Sequence, residues 1–359
     1  MTHRIAVMGG DGVGPELVTQ ALRVLDAVTA LDGFDVELVD MPHGGAHYRR
    51  TGVLADDAMY KTLRSCESLL FGAAGDPELP SGFVERALIL DLSRELDLCV
   101  GVRAAYLHHE KFTPLKGLGR GGIDLAIVRD TTEGELPIPG GRMHQGTPYE
   151  AAATIMLHTR HGVERAIRYA FELAMTRRRR VDLVSQSNVL VPHKLWEDVY
   201  EEVSADYPDV EGEAYYPDHA AMKAVLDPSG FDVIVTNLLF GGVLTDLFAA
   251  LVGGMGLVGS SRLNPVTGFG MFEPAHGSAP KYTGQDKVSP MATFRALAML
   301  LDNVGEPRAA ARIEAAIDEV LATGVVAGVS TRSGIGTTEA TDRVLDALGS
   351  PAVADRLTG

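Results

Sequence analysis

Along the chain, short apolar runs alternate with stretches in which apolar residues recur every three or four positions. RIAVM, residues 4–8, has the continuous apolar character of a buried strand, and ELVTQALRVLDAV shortly after it has helical spacing. SLLFGAAG (68–75) and IDLAIVRD (123–130) are further short apolar runs. VDLVSQSNVL (181–190) follows the helical pattern VERAIRYAFELAM, and FDVIVTNLLFGG (231–242) follows HAAMKAVL. PMATFRALAMLLDNV and ARIEAAIDEVLATG predict two late helices. Strands alternating with helices predict an α/β protein whose strands are mostly parallel. No repeat or low-complexity linker separates one half from the other, so the two lobes expected of 359 residues are interleaved rather than strung in sequence.

Composition narrows the function classes. Apolar residues make up 46% and charged residues 22%, the balance of a folded globular chain. A formal net charge of −16 argues against nucleic acid or an anionic membrane as partner, and an anionic small substrate would need a local basic pocket. The only cysteines, Cys66 and Cys99, have no CxxC spacing, which excludes a disulfide framework or a cysteine zinc site. Neither a leader pattern nor a membrane-length apolar run is present, so a cytoplasmic location is expected. The run Arg177–Arg180 closes a helical pattern, where cations oppose the negative end of a helix dipole.

Two loops carry candidate chemistry. GGDGVGPE places Gly10 and Gly12 as a dinucleotide fingerprint would, but its sixth position is Pro15, which blocks close helix packing. The motif reads instead as a strand-to-helix turn with proline in the first helical turn. EPAHGSAPKYTGQDKVSP (273–290) has no apolar period. Its small residues allow backbone amides close to a ligand, Lys281 and Lys287 supply cations, and His276 and Tyr282 offer flat faces and donors. A helix start near Pro290 can face a phosphate, and the whole suits a phosphorylated nucleotide.

IAVMGGDGVGPE, LFGAAGDP, RELDLCVGVR, IDLAIVRDTTEGE, SNVL, PDHAAM, FDVIVTN, EPAHGSAP and GIGTTEATD occur in this order over nearly the whole chain. This set resembles the β-decarboxylating dehydrogenases, which include the isopropylmalate, isocitrate, homoisocitrate and tartrate/D-malate enzymes. The resemblance implies a two-lobe isopropylmalate dehydrogenase-like α/β fold with a mostly parallel central sheet, distinct from the Rossmann fold. It assigns residues 1–99 with 251–359 to a large cofactor-binding lobe and 100–250 to a second lobe carrying a dimer interface. It also implies a homodimer with shared active sites. EPxHGSAP is the family's cofactor loop, which makes Glu273, His276, Gly277, Ser278, Ala279, Lys281, Tyr282 and Ser289 candidate cofactor contacts. Family members that use NAD continue this loop with Asp-Ile. Lys281-Tyr282 is similar to the NADP-using bacterial isocitrate dehydrogenases, and an ammonium and a phenol suit a 2′-phosphate that an aspartate would repel. NADP is therefore expected over NAD.

The same resemblance assigns the reacting positions. Arg103 and Arg129 match two of the three family arginines that grip carboxylates, and Ser93 stands at the first. Gln186 stands at the catalytic lysine, Asn188 is retained beside it, and Leu136 stands at the tyrosine that protonates the enol. Asp218 and Asp246 match two of three metal aspartates, with Gly242 at the other, leaving a reduced site for Mg2+ or Mn2+. Arg86 falls where members vary with the substrate's side group. Gln186 cannot accept a proton at neutral pH and Leu136 cannot donate one. The expected activity is thus NADP-dependent oxidation of a small malate-like 2-hydroxy acid. In it Asp218, Asp246 and Gln186 form the catalytic set, and Arg103, Arg129, Arg86, Ser93 and Asn188 line the substrate. Such a role suits a specialised biosynthetic pathway. The alternative expectation is a regulatory paralogue that binds ligand without turnover; lyase or isomerase chemistry on the same scaffold is a third.

Overall fold

A computed structural model describes residues 2–138, 140–323 and 335–357. Its strands are β1 (Thr2–Gly10), β2 (Asp35–Asp40), β3 (Ser68–Ala73), β4 (Val100–Tyr106), β5 (Asp124–Asp130), β6 (Gly141–Met143), β7 (Ala151–Ala153), β8 (Val181–Val184), β9 (Ala214–Tyr215), β10 (Val233–Thr236), β11 (Gly259–Leu263) and β12 (Gly270–Pro274). Ten of them form one sheet in the order β2-β1-β3-β12-β11-β4-β5-β10-β8-β9, while β6 and β7 make a separate exposed hairpin. Pairing is parallel except around β11 and β4, where β12-β11, β11-β4 and β4-β5 are antiparallel. The expected mostly parallel α/β architecture is observed.

Helices on both faces explain why strands such as β3 and β8 are buried along their whole length, as central parallel strands are. The hydrophobic core divides at the β11-β4 pair. On one side β1, β3 and β12 pack with the Gly14–Asp32, Met291–Asn303 and Pro307–Ala322 helices. On the other, β4, β5, β8 and β10 pack against the Arg160–Met175 and Val191–Ser204 helices.

The turn after β1 is as expected. Gly10 and Gly12 have positive φ (68° and 58°), and proline lies in the first turn of the Gly14–Asp32 helix. A Cβ at Gly12 would stand 2.0 Å from the Ser278 carbonyl oxygen, so this loop is shaped to the 273–290 segment.

Three features depart from the sequence pattern. The apolar run 231–242 is not one element. It breaks at Asn237, whose side chain accepts a hydrogen bond from Phe240 N (3.0 Å) and caps the Leu238–Val252 helix. Arg177–Arg180 do more than oppose a helix end. Arg177 pairs with Asp124 (2.7 Å) and buried Asp232 (2.8 Å), and Arg180 with buried Asp182 (2.8 Å), tying the chain to the sheet. Arg86–Asp91 form a π-helical segment, which no apolar period reveals. Of GIGTTEATD, Gly334 lies outside the described residues.

Candidate active site

The sheet register brings the basic residues together. Gly101 on β4 lies between Arg262 on β11 and Arg129 on β5, and two residues along β4, Arg103 pairs with Ser260. Directly paired residues share a face of a sheet, so Arg129, Arg103 and Arg262 project to the same side. Glycine at 101 makes room first for Thr131: a Cβ there would lie 2.6 Å from Thr131 Cγ2 and 3.4 Å from Arg129 Nη2.

Arg129 is 2% exposed, and its Nε and Nη2 have no hydrogen-bond partner. Burial, reinforced by Arg103 and Arg262, holds its pKa well below the ordinary arginine range. Burial likewise brings Arg103 down to about 10, opposed by Glu273 and Asp246. Arg103 Nε donates to Ser260 Oγ (3.3 Å), and Arg262 Nε to Glu273 (3.3 Å), leaving Arg262 Nη1 without a partner. Buried guanidiniums with open donors are costly alone, and the cost falls when a carboxylate fills them.

The sequence-predicted residues fall into three groups. Arg103, Arg129 and Asp246 share one electrostatic neighbourhood, Asp246 lying on an exposed turn of the Leu238–Val252 helix. No hydrogen bond or salt bridge joins Gln186, Asn188 or Asp218 to these among the described residues. Gln186 Nε2 donates to Asn188 Oδ1 (2.7 Å), and exposed Asp218 accepts from His219 N (2.8 Å). Arg86 donates to the Pro137 carbonyl (3.2 Å), bridging the π-helical segment to the loop that carries exposed Leu136. Ser93, expected to line the substrate, is fully buried, and its hydroxyl donates to the Ile89 carbonyl (2.6 Å).

In the cofactor loop, the Ser278 carbonyl accepts from Val13 N (2.9 Å), and Ala279 turns the chain at a left-handed φ of 40°. His276 Nδ1 bonds the Gly277 carbonyl (2.9 Å), its buried Nε2 is unpartnered, and burial keeps the ring neutral. Lys281 is exposed, lies 4.6 Å from the Tyr282 ring centre and forms no salt bridge among the described residues. Ser289 Oγ donates to the Gly256 carbonyl (3.3 Å). Glu273, a candidate cofactor contact, has its carboxylate buried against Arg262.

Two contributors escaped the sequence reading. Arg262 lies in the unremarkable stretch SSRLNP, and only strand register reveals its place. His193, from the helix after β8, accepts from Gln186 N at Nδ1 (3.0 Å) and holds the backbone at that position.

The model of the family described as "Isocitrate/isopropylmalate dehydrogenase" matches residues 4–344. The 3-isopropylmalate dehydrogenase of Thermobifida fusca is 42% identical over 323 residues, 89% of this chain and 91% of that protein. That of Corynebacterium glutamicum is 42% identical over 350 residues, covering 97% and 100%. Among solved structures, isocitrate dehydrogenase from Methylococcus capsulatus superposes with a TM-score of 0.87 at 32% identity, over 97% of this chain and all of that one. A β-decarboxylating dehydrogenase from Thermococcus kodakarensis gives 0.77 at 30% identity, covering 96% of each. The chain belongs to the isocitrate/isopropylmalate dehydrogenase family of oxidoreductases.

Proposed function

We propose that the protein is an NADP-dependent dehydrogenase of a small, malate-like 2-hydroxy acid. The observation that carries this reading is the buried Arg129 guanidinium with two open donor atoms, flanked by Arg103 and Arg262 within a chain of net charge −16. A focused positive pocket in an anionic surface selects a small polyanion over nucleic acid or lipid. No described helix is long and apolar enough to cross a membrane.

On this reading Arg129 and Arg103 hold the acid's carboxylates and fix its hydroxyl-bearing carbon. The dinucleotide, when bound, accepts the hydride. His276, the open backbone at Gly277 and the exposed ammonium of Lys281 fit its adenosine end, and Lys281 with Tyr282 favours the 2′-phosphate. A divalent metal, when bound, polarises the substrate oxygen. Asp246 and Asp218 would hold it, with Asp246 or Asp218 taking the hydroxyl proton that Gln186 cannot.

That no hydrogen bond or salt bridge ties Asp218, Gln186 or Asn188 to the arginine cluster, among the described residues, supports a homodimer in which each site draws on both chains. The exposed apolar residues Met222, Val225, Leu226, Leu239 and Val243 on two adjacent helices supply a face for it. The dinucleotide falls to residues 1–99 and 251–359, and the dimer contacts to 100–250.

A second reading, ligand binding without turnover, is favoured by Gln186, whose amide is spent on Asn188, and by apolar Leu136. Fluorescence titration with NADPH and NADH, followed by a screen of hydroxy acids for nicotinamide absorbance, separates the readings. NADPH binding with turnover of a malate-like acid is expected. NADPH binding with no turnover of any acid supports the second reading. Efficient turnover of 3-isopropylmalate with Mg2+ assigns the activity named for the relatives, and failure to bind either nucleotide removes the dehydrogenase reading.

A further inference from the structure

We propose that Asp130, Glu133 and His158 form a second divalent-metal site, of zinc type, on the face of β5 opposite the arginine cluster. Arg129 and Asp130 are consecutive in β5, so their side chains point to opposite faces of the sheet. One donor atom from each of Asp130, Glu133 and His158 lies within 4.8 Å of the other two.

The donors are open where a metal needs them. Asp130 is fully buried. Its Oδ1 accepts from Thr132 N (2.9 Å), Thr132 Oγ1 (3.0 Å) and Glu133 N (3.2 Å), while Oδ2 has no partner. Glu133 accepts from Thr159 N and Thr159 Oγ1 (both 2.6 Å), which fixes the carboxylate and leaves lone pairs on both oxygens. His158 is 8% exposed, and neither ring nitrogen has a partner. Its ring packs edge-on to Trp196 (5.6 Å) and His193 (5.9 Å). Two glycines make the space: a Cβ at Gly134 would lie 3.3 Å from His158 Cε1, and one at Gly162 would lie 2.6 Å from the Glu133 carboxyl carbon.

Each unmatched buried polar atom costs about 1–3 kcal/mol. A proton shared between a carboxylate oxygen and one imidazole nitrogen joins only two of the three residues. A divalent first-row cation engages one donor atom from each of the three. Burial keeps the His158 ring neutral, the form that ligates metal. One imidazole with two carboxylates suits Zn2+ or Co2+, whereas Mg2+ prefers oxygen ligands and retains its waters. Tetrahedral ligation brings the donor atoms to about 3.3 Å apart, a closure that side-chain rotation supplies, with water as the fourth ligand. The ion would pin the loop after β5 to the start of the Arg160–Met175 helix. This inference does not depend on the proposed substrate or dinucleotide.

The test uses tag-free full-length protein, stripped with chelator and then saturated with Mg2+. Titration with Zn2+ by calorimetry is expected to show one site per chain, with a raised melting temperature and a visible d–d band when Co2+ replaces Zn2+. His158→Asn and Glu133→Gln, each checked for folding by circular dichroism, should bind Zn2+ at least ~10-fold more weakly. Asp209→Asn, at an exposed carboxylate, should bind it as the wild type does. Absence of Zn2+ binding by the wild type overturns the proposal, as does wild-type affinity in both His158→Asn and Glu133→Gln.

Discussion

The alkyl stem of Arg129 lies against Gly241: a Cβ at 241 would stand 2.3 Å from Arg129 Cδ and 2.4 Å from Cγ. Gly241 lies in the Leu238–Val252 helix, where alanine would normally gain about 1 kcal/mol of helix stability over glycine. Gly241→Ala should nevertheless displace the guanidinium. Its stability should stay within ~2 kcal/mol of wild type, because the propensity gain offsets part of the overpacking. Catalytic efficiency on the acid should fall at least ~10-fold, since small misplacements at a gripping residue cost heavily. Melting temperature and kcat/KM, measured together, decide this.

Arg129→Met should move stability and binding in opposite directions. It removes a buried guanidinium with open donors and keeps the stem's volume, so the ligand-free protein should gain about 1–4 kcal/mol. Acid binding should weaken at least ~100-fold, as expected when a buried charged anchor is lost. A melting temperature below that of the wild type, without ligand, would show that Arg129 is already well matched by the protein.

Lys281→Asp should lower NADPH affinity at least ~10-fold and leave NADH affinity unchanged, because it replaces one charge-assisted contact with a repulsion. The comparison is of two dissociation constants from nicotinamide fluorescence. An equal effect on both nucleotides would remove Lys281 from 2′-phosphate recognition.

Gln186→Lys combined with Leu136→Tyr should raise kcat on the acid by ~10²-fold or more, the contribution typical of a positioned general acid or base. The pH–rate profile should acquire a new ionisation. An unchanged kcat would mean that proton transfer already proceeds efficiently through other groups.

His193 gives the protein an acid-sensitive centre. Burial, aided by His158, lowers its pKa from 6.5 to about 4. The folded state therefore resists a proton that the unfolded chain accepts. The stability this contributes is complete above pH 6.5 and is lost as pH falls from 6.5 towards 4, about 3 kcal/mol in all. His158, His108 and His276, also lowered by burial, act in the same direction. Denaturant titrations at pH 7.5 and 4.5 should show the loss, and His193→Asn should make it smaller.

The fold was legible because most of its elements are regularly patterned and joined by telling turns: Pro15 after Gly12 marks a helix start and argues against the commoner nucleotide fold. Arg103 and Arg129 were readable from their motifs. Arg262 was not, because its role depends on lying across Gly101 from Arg129, a relation between strands far apart in sequence. Sequence position alone does not show that Ser93 is buried with its hydroxyl bonded to the Ile89 carbonyl. Asp130, Glu133 and His158 gave no signal, since 25 residues separate Glu133 from His158 and the exposed β6-β7 hairpin intervenes.

One unbroken sheet runs through both halves of the molecule, and the arginines sit astride its seam, with Arg262 on β11 and Arg103 and Arg129 on β4 and β5. Relative motion of the halves therefore cannot swing on a slack connector. It must shear or twist the β11-β4 ladder, and any such twist changes the span between Arg262 and Arg129. On the proposed reading, an acid gripped by Arg103 and Arg129 would rest beside this seam, so its binding would be coupled to the sheet's twist.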